Sequence, residues 1–177
     1  MTVTIRVGPQ PGDLGRVLEL HGRVYAEEFG YNEEFEAYVA SGLAAYAAAL
    51  SRRHADPKLP EPGWVWIAEE AGDGTHPPEV VGMIGLTVEG EGVGQVRWFL
   101  VVPHARGGLG RSLMTTLVTH ARGAGLQHLQ LWTVDGLDAA AKLYTSLGFR
   151  RTQEVAGHRF GQDLVEVRYD LDLPPGS

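Results

Sequence analysis

The chain has 177 residues, a formal net charge of −7, 44% hydrophobic residues and no cysteine. That make-up fits one soluble globular domain with room for a real core. It excludes disulfides, thiol catalysis and cysteine-ligated metal, and the lack of a basic block argues against nucleic acid as a main partner. No apolar run approaches the ~20 residues of a membrane span, and the opening MTVTIRVGPQ lacks the order of a signal peptide. The default expectation is therefore a cytoplasmic protein with no membrane partner. Mild acidity favours cationic substrates only weakly.

In chain order, Thr2 to Val7 alternates polar and apolar residues and stops at Gly8-Pro9, which predicts a first strand. Asp13 is placed to cap a helix whose apolar face carries Leu14, Val17, Leu18, His21, Val24 and Tyr25. His21 on that face reads as a hydrogen-bonded core histidine rather than a base. Glu27 and Glu28 near the helix end read as surface charge, or as carboxylates lining a pocket for an amine. Gly30-Tyr31-Asn32 breaks the pattern, and Asn32 can cap a second amphipathic helix carrying Phe35, Tyr38, Val39, Gly42, Leu43, Tyr46 and Leu50. Its aromatic stripe reads as core. Ser51 to Gly63, with three prolines, predicts a surface loop.

Trp64 to Glu69 and Val80 to Val88 predict strands on either side of a polar connection, Ala71 to Pro78, with a glycine-rich turn over Glu89 to Gly94. They read as antiparallel neighbours leading to the central stretch, VRWFLVVPHARGGLGRSLM, from Val96 to Met114. Its β-branched and aromatic run predicts a core strand ended by Pro103, which has no N–H for a ladder. A glycine turn follows, Arg106 to Gly110. Leu109, Leu113, Leu117 and Ala121 then mark one face of a helix closed by Gly123 and Gly125. Strand, glycine turn and helix together leave backbone N–H groups free at a positive helix end, an array suited to phosphate. The same turn could serve only as a tight connection. It is not a P-loop: Ala105 stands where the first glycine belongs and Arg111 replaces the lysine. Nor is it a dinucleotide fingerprint, because Leu113 replaces the last glycine.

His128 to Val134 predicts a further strand and Leu137 to Leu147 a short helix, started by Asp135 or Gly136 and stopped at Gly148-Phe149. Thr152 to Phe160 and Asp163 to Leu171 predict two last strands joined at Gly161, and Leu173-Pro174-Pro175-Gly176 a frayed end. The order is β-α-α-β-β-β-α-β-α-β-β, in one domain spanning residues 1–177. No histidine pair has the i, i+4 spacing of a helical zinc site, so no metal is expected. No G-x-S-x-G elbow exposes a nucleophile.

That order, with LVVPHARGGLGRSLM and later AAAKLYTSLGFR, resembles the GNAT superfamily of acetyl-CoA-dependent N-acyltransferases. The second half is especially similar to the acyltransferase domain that some bacterial proteins carry behind a MarR-type DNA-binding domain, a domain not expected within these residues. The resemblance implies an α+β, three-layer fold: a mixed, mostly antiparallel sheet of about seven strands flanked by four helices. It implies transfer of an acetyl group from acetyl-CoA, as cosubstrate, to a primary amine of a small molecule or peptide by direct attack. Backbone groups near Phe99 and Val101 would pair with the pantetheine arm, and a strand N–H beside Val101 would polarise the thioester. Amides from Gly107 through Gly108, Leu109, Gly110 and Arg111 to Ser112 would hold pyrophosphate, with Arg106 and Arg111 adding charge. Tyr144 would protonate the leaving thiolate as general acid.

Two departures stand out. Against the family pattern R-x-x-G-x-G, either Arg106 takes the first position and the turn is one residue short, the preferred reading, or the Gly108-x-Gly110 frame is kept and Ala105 stands in the Arg/Gln position. A shortened turn could lose one contact to pyrophosphate, about 1–3 kcal/mol. Leu137 occupies a position where many relatives have asparagine. No carboxylate on the central strand is an obvious base, its polar residues being Gln95 and Arg97; Glu28, Asp135, His21 or a water chain remain candidates. Tyr25, Glu28 and Tyr31 are expected at the acceptor pocket, which Trp98 and Trp132 could shape. A non-catalytic acyl-CoA-binding module is the alternative function, an ATP-binding protein a third, and a homodimer through the terminal strands an ordinary outcome.

Overall fold

A computed structural model describes residues 2–72, 75 and 77–174. The elements are β1 (Val3–Gly8), α1 (Asp13–Phe29), α2 (Glu33–Ala55), β2 (Gly63–Glu70), β3 (Glu79–Gly90), β4 (Val93–Val101), α3 (Leu109–Gly123), β5 (His128–Val134), α4 (Asp138–Ser146), β6 (Arg150–Arg159) and β7 (Gln162–Asp172). A short 3-10 turn covers Pro103–Ala105. The seven strands form one sheet in the order β1-β2-β3-β4-β5-β7-β6, antiparallel except at β4–β5. This is the mixed, mostly antiparallel α+β fold that the resemblance implied. No helix among the described residues is long and apolar enough to cross a membrane.

Several boundaries differ from the sequence reading, each for a local reason. Asp13 does not cap α1. Gly12 holds the cap position in a left-handed conformation, and the Asp13 carboxylate accepts from the Gln10 N–H at 2.6 Å and pairs with Arg6 at 2.8 Å. Helix α2 continues to Ala55, into the segment expected as loop. Ser51 to Ala55 contains no breaker, and Arg52, Arg53 and His54 complement the negative helix end. The helix stops at Asp56, whose α conformation Pro57 disfavours. Leu137, not Asp135 or Gly136, precedes α4, and it makes no side-chain cap bond. Leu173 is buried and its N–H bonds the Gln127 carbonyl at 2.8 Å, so the chain is held one residue beyond β7. Residues 73, 74 and 76 of the expected polar connection, and 175–177 of the expected frayed end, lie outside the described residues. Asn32 does cap α2, its side chain accepting from the Glu34 N–H at 3.1 Å.

Helix α3 covers one face of the sheet, with Leu113, Met114 and Leu117 fully buried. Each such side chain contributes roughly 1.5–3 kcal/mol of burial. Gly82 on β3 lies under Leu109 and Leu113 of that helix, whereas Gly85, three residues on and so facing the opposite way, lies under Trp98, which in turn meets Tyr46 of α2. Helices α1 and α2 thus pack on the opposite face, making three layers.

The feature that positions everything else is a split in this sheet. Strand β4 pairs with β5 only at Val93–His128, Gly94–Leu129 and Gln95–Gln130. Beyond Gln95 the two strands part, although β4 runs on to Val101 and β5 to Val134. A bulge on β4 accompanies the parting. The register with β3 passes from Gly85–Arg97 to Met83–Leu100, so Trp98 and Phe99 together face Ile84, and Trp98 takes a φ of 50°. A bulged strand bends and twists more strongly, which carries the end of β4 away from β5. Gly85 permits this, because a Cβ there would collide with the Trp98 indole.

Candidate functional site

The split opens onto two chambers. The larger, about 610 Å³, lies between the end of β4, the glycine turn, the end of α1 and the start of α4. The smaller, about 120 Å³, lies between the aromatic residues of α1 and α2 and strands β4, β5 and β7. Tyr25, Phe99, Thr133, Leu137 and Tyr144 line both, so the chambers meet at the parted strands.

The large chamber ends on the glycine turn. Gly107 and Gly108 have φ values of 140° and 112°, which L side chains rarely adopt. Gly110 sits against Phe99, whose Cζ would be 3.3 Å from an added Cβ. The first bond inside α3 runs from the Ser112 N–H to the Gly108 carbonyl at 3.0 Å. The amides of Leu109, Gly110 and Arg111 therefore have no intrahelical acceptor, and they stand at the positive end of a 15-residue helix. The turn presents a first-turn amide array.

Of the donor-side residues expected from sequence, Phe99, Val101, Arg106, Gly107, Gly108, Gly110 and Arg111 line this chamber. Leu109 turns its side chain towards Gly82 of the core. The Ser112 amide and hydroxyl are both directed to the Gly108 carbonyl. Arg111 donates to Ser146 Oγ of α4 at 2.8 Å. Arg106 is engaged across the chamber: its Nη2 meets Glu28 Oε2 at 2.8 Å. Glu28, expected at the acceptor pocket, lines the large chamber and is paired with Arg106.

In the small chamber, rings from three elements pack together. Tyr25 and Phe35 have centroids 4.5 Å apart, Tyr31 and Phe160 5.1 Å, and Phe35 and Phe160 5.0 Å. Tyr31 lines this chamber, and Tyr25 lines both. Of the α2 stripe read as core, Phe35 and Tyr46 are buried, whereas Tyr38 is 42% exposed and lines the chamber beside Phe35. Phe160 is in place because the β6–β7 turn docks on the α1–α2 loop: the Asn32 N–H bonds the Phe160 carbonyl at 3.2 Å and Gln162 Nε2 bonds the Phe29 carbonyl at 2.9 Å. Phe160 has a φ of 56°, uncommon for a bulky residue.

The titratable groups sort clearly. Tyr144 is buried at the junction, and burial together with Tyr25 and Tyr169 raises its phenol well above the ordinary range, against a hydrogen bond with Thr133. Burial raises Tyr25 to about 12. His21 bonds the Val17 carbonyl through Nδ1 at 2.8 Å, and full burial lowers its pKa to about 4, so it is neutral at pH 7. Asp135 pairs with Arg151 at 2.9 Å and lines neither chamber. Glu166, unremarked in the sequence, is the one carboxylate among the described residues that lines the small chamber, and Arg159 holds it at 3.1 Å. It reaches the site because β7 inserts between β5 and β6, setting Glu166 beside Val134. Sequence alternation gave its strand but not that register. Among the described residues no cluster could hold a metal ion.

The fold is that of solved acetyltransferases. The Salmonella typhimurium protein yncA, determined with its cofactor acetyl-CoA, superposes with a TM-score of 0.72 at 23% identity, covering 100% of this chain and 97% of that one. A ribosomal-protein-alanine N-acetyltransferase of Brucella melitensis gives 0.70 at 24% identity, over 96% of this chain and 99% of that one. In sequence, the chain is 32% identical over 150 residues to the mycothiol acetyltransferase of Thermobispora bispora and 31% to that of Thermomonospora curvata, covering 75% and 84% of this chain. It spans about half the length of these relatives, 48% and 44%. The profile of the acetyltransferase (GNAT) family matches residues 24–149, and the chain belongs to that family.

Proposed function

We propose that the chain transfers the acetyl group of acetyl-CoA to the amine of a small molecule or peptide, with the large chamber holding the donor and the small one the acceptor. The observation that carries this is the junction: two chambers of different character meet where β4 and β5 part, beside a buried tyrosine. The donor's pyrophosphate sits on the amides of Leu109, Gly110 and Arg111, with Arg106 and Arg111 beside it. Its pantetheine arm lies along the β4 edge at Phe99 and Val101, whose groups facing the split have no β5 partner.

The acceptor nitrogen attacks the thioester carbonyl carbon; the C–N bond forms and the C–S bond breaks. A β4 amide near Val101 stabilises charge on the carbonyl oxygen. Tyr144 gives its proton to the departing thiolate. Its raised pKa keeps the phenol protonated at neutral pH, as a general acid requires. The acceptor must shed a proton before attack, since an alkylammonium has a pKa near ~10. Glu166 is the carboxylate on that side, and we assign it the steering of the ammonium and the first hold on its proton. Arg106 must exchange Glu28 for the pyrophosphate as the donor binds. Neither nucleic acid nor membrane enters this scheme, which suits a cytoplasmic enzyme.

The test is a calorimetric titration with acetyl-CoA, followed by thiol release in the presence of primary amines. Micromolar binding that Gly108→Asp abolishes, with amine-dependent thiol release, is the expected result. Binding without turnover for any amine would favour a sensing module. No binding up to millimolar by folded protein would overturn the donor assignment.

A further inference from the structure

Charge in the acceptor chamber is not balanced, and the imbalance sits on one residue. The arginines around the two chambers are held: Arg106 by Glu28, Arg159 by Glu166, and Arg111 by Ser146. Arg97 on β4 is different. Among the described residues it has no carboxylate or hydrogen-bond partner; its guanidinium carbon lies 5.4 Å from the Trp98 ring centroid. It lines the acceptor chamber two residues before Phe99.

The sequence makes room for this side chain. Gly42 lies inside α2, where glycine is unfavourable relative to alanine. A Cβ at Gly42 would collide with the Arg97 guanidinium. The guanidinium is thus set between a helix backbone and an indole face, half-buried and with its donors unused. A planar fork of donors held in one place by a ring and a helix is suited to bidentate capture of a carboxylate. Neither of the other cationic candidates nearby competes for that role, because Arg159 is engaged by Glu166 and His21 is uncharged at pH 7.

We propose that Arg97 reads a carboxylate on the acceptor, so that the substrate class is an amine that also bears a carboxylate: an amino acid or a close relative. This rests on the acetyl-transfer reading of the two chambers. Size agrees with it. A chamber of about 120 Å³ is close to the cavity that accepts one benzene ring, about 150 Å³, and so holds a small amino acid rather than a long chain. Arg97 also lines a separate cleft of about 410 Å³, together with Gly42, against which its guanidinium rests, and Tyr46, Arg52, Glu61 and Glu89. There Glu61 lies 3.8 Å from Arg53 and Glu89 accepts from Thr87. An anion arriving by that route would not discriminate between acceptors.

The experiment compares matched acids and amides in the full chain at saturating acetyl-CoA: glycine with glycinamide, alanine with alaninamide, β-alanine with its amide, and 4-aminobutyrate with its amide. Thiol release gives kcat/KM, and calorimetry gives the binding of each compound to the CoA-saturated protein. The best acid is expected to exceed its amide at least tenfold. Arg97→Gln should raise the acid's KM to that of the amide, with Arg97→Lys recovering part of the preference. The acetyl-CoA Kd, unchanged within twofold, reports that the fold is intact. Acids and amides treated alike by the wild type, in turnover or, if none turns over, in binding, would overturn the proposal. So would an acid preference that survives Arg97→Gln. A wild-type chain that does not bind acetyl-CoA would instead count against the donor reading, and the two failures are told apart by that one titration.

Discussion

Replacing Tyr144 by phenylalanine separates chemistry from packing. The Tyr144 ring is 6% exposed and meets Phe99, Phe149 and Tyr169 at centroid distances of 6.3, 6.2 and 5.5 Å. Phenylalanine keeps all three contacts. What goes is one buried hydroxyl that faces Thr133, a stability change of at most about 0.5–1.5 kcal/mol. The rate should fall much further. General acid catalysis contributes about 10²–10⁴-fold, and a thiolate, whose parent thiol has a pKa near ~8.5, needs less help than an alkoxide. The expected loss is therefore at the lower end, about 10²-fold in kcat, or ~2.7 kcal/mol of barrier. Burial also predicts the pH dependence: the phenol titrates above its ordinary value near 10, so wild-type rates should climb through pH 9 as the amine deprotonates. The assays are thiol release at saturating acetyl-CoA, urea unfolding and calorimetry of donor binding. A kcat within threefold of wild type, with donor affinity unchanged, would refute the general-acid role. So would a wild-type rate that falls between pH 8 and 9.

The remaining predictions concern charge. Glu28→Gln frees Arg106 and removes a negative charge from the donor cleft; acetyl-CoA should bind about two- to fivefold tighter at low salt, in keeping with a partly exposed ion pair. The gain should vanish near 1 M salt, where the Debye length is about 3 Å, and weaker binding at low salt would contradict the competition. Asp170, although buried, is lowered to about 2 by Arg168, Thr152 and His128. Its folded pKa lies below the unfolded value of 3.8, so it stabilises above pH ~4 and loses that as pH falls through ~2. The urea-unfolding gap between wild type and Asp170→Asn should be about 2 kcal/mol at pH 7 and narrow below pH 4; a gap independent of pH would refute the linkage. His128 works in the opposite sense. Burial opposes its charge, but Asp170 and Asp172 outweigh this and raise its pKa. Its contribution is full below the unfolded value near ~6.5 and fades as pH rises through the folded value. His128→Asn should thus cost more at pH 5.5 than at pH 9.

Element order was readable because the signals are local. Alternation gave His128 to Val134 to the residue, and Asn32 announced α2 through a bond to its own second neighbour. The errors at Asp13 and Ser51 to Ala55 arise where tertiary or continuing helical interactions outweigh a local cue. A carboxylate that can cap a helix can also meet an arginine on the preceding strand, and Arg6 at 2.8 Å decides the matter. Strand order was not readable beyond β4. Nothing in the runs Thr152 to Phe160 and Asp163 to Leu171 says that the second inserts between β5 and the first.

That difference divides the site as well. In the large chamber, Phe99, Arg106, Gly108, Gly110 and Arg111 come from one continuous stretch of strand, turn and helix and were legible from it, whereas Glu28 and Leu143 join them from α1 and α4. The small chamber, proposed for the acceptor, is assembled from α1, α2, β4, β5 and β7, and Glu166 enters it only through the register of β7. Arg97 was visible as a polar residue on the central strand. Its lack of a partner, and the helix glycine that admits it, appear only when α2 is laid against β4. The physical consequence is that the two halves can vary independently. A change in the glycine turn breaks a local array of amides and should act on any donor. Changes at Gly42, Arg97, Phe160 or Glu166 leave those amides in place and act on which amine is accepted.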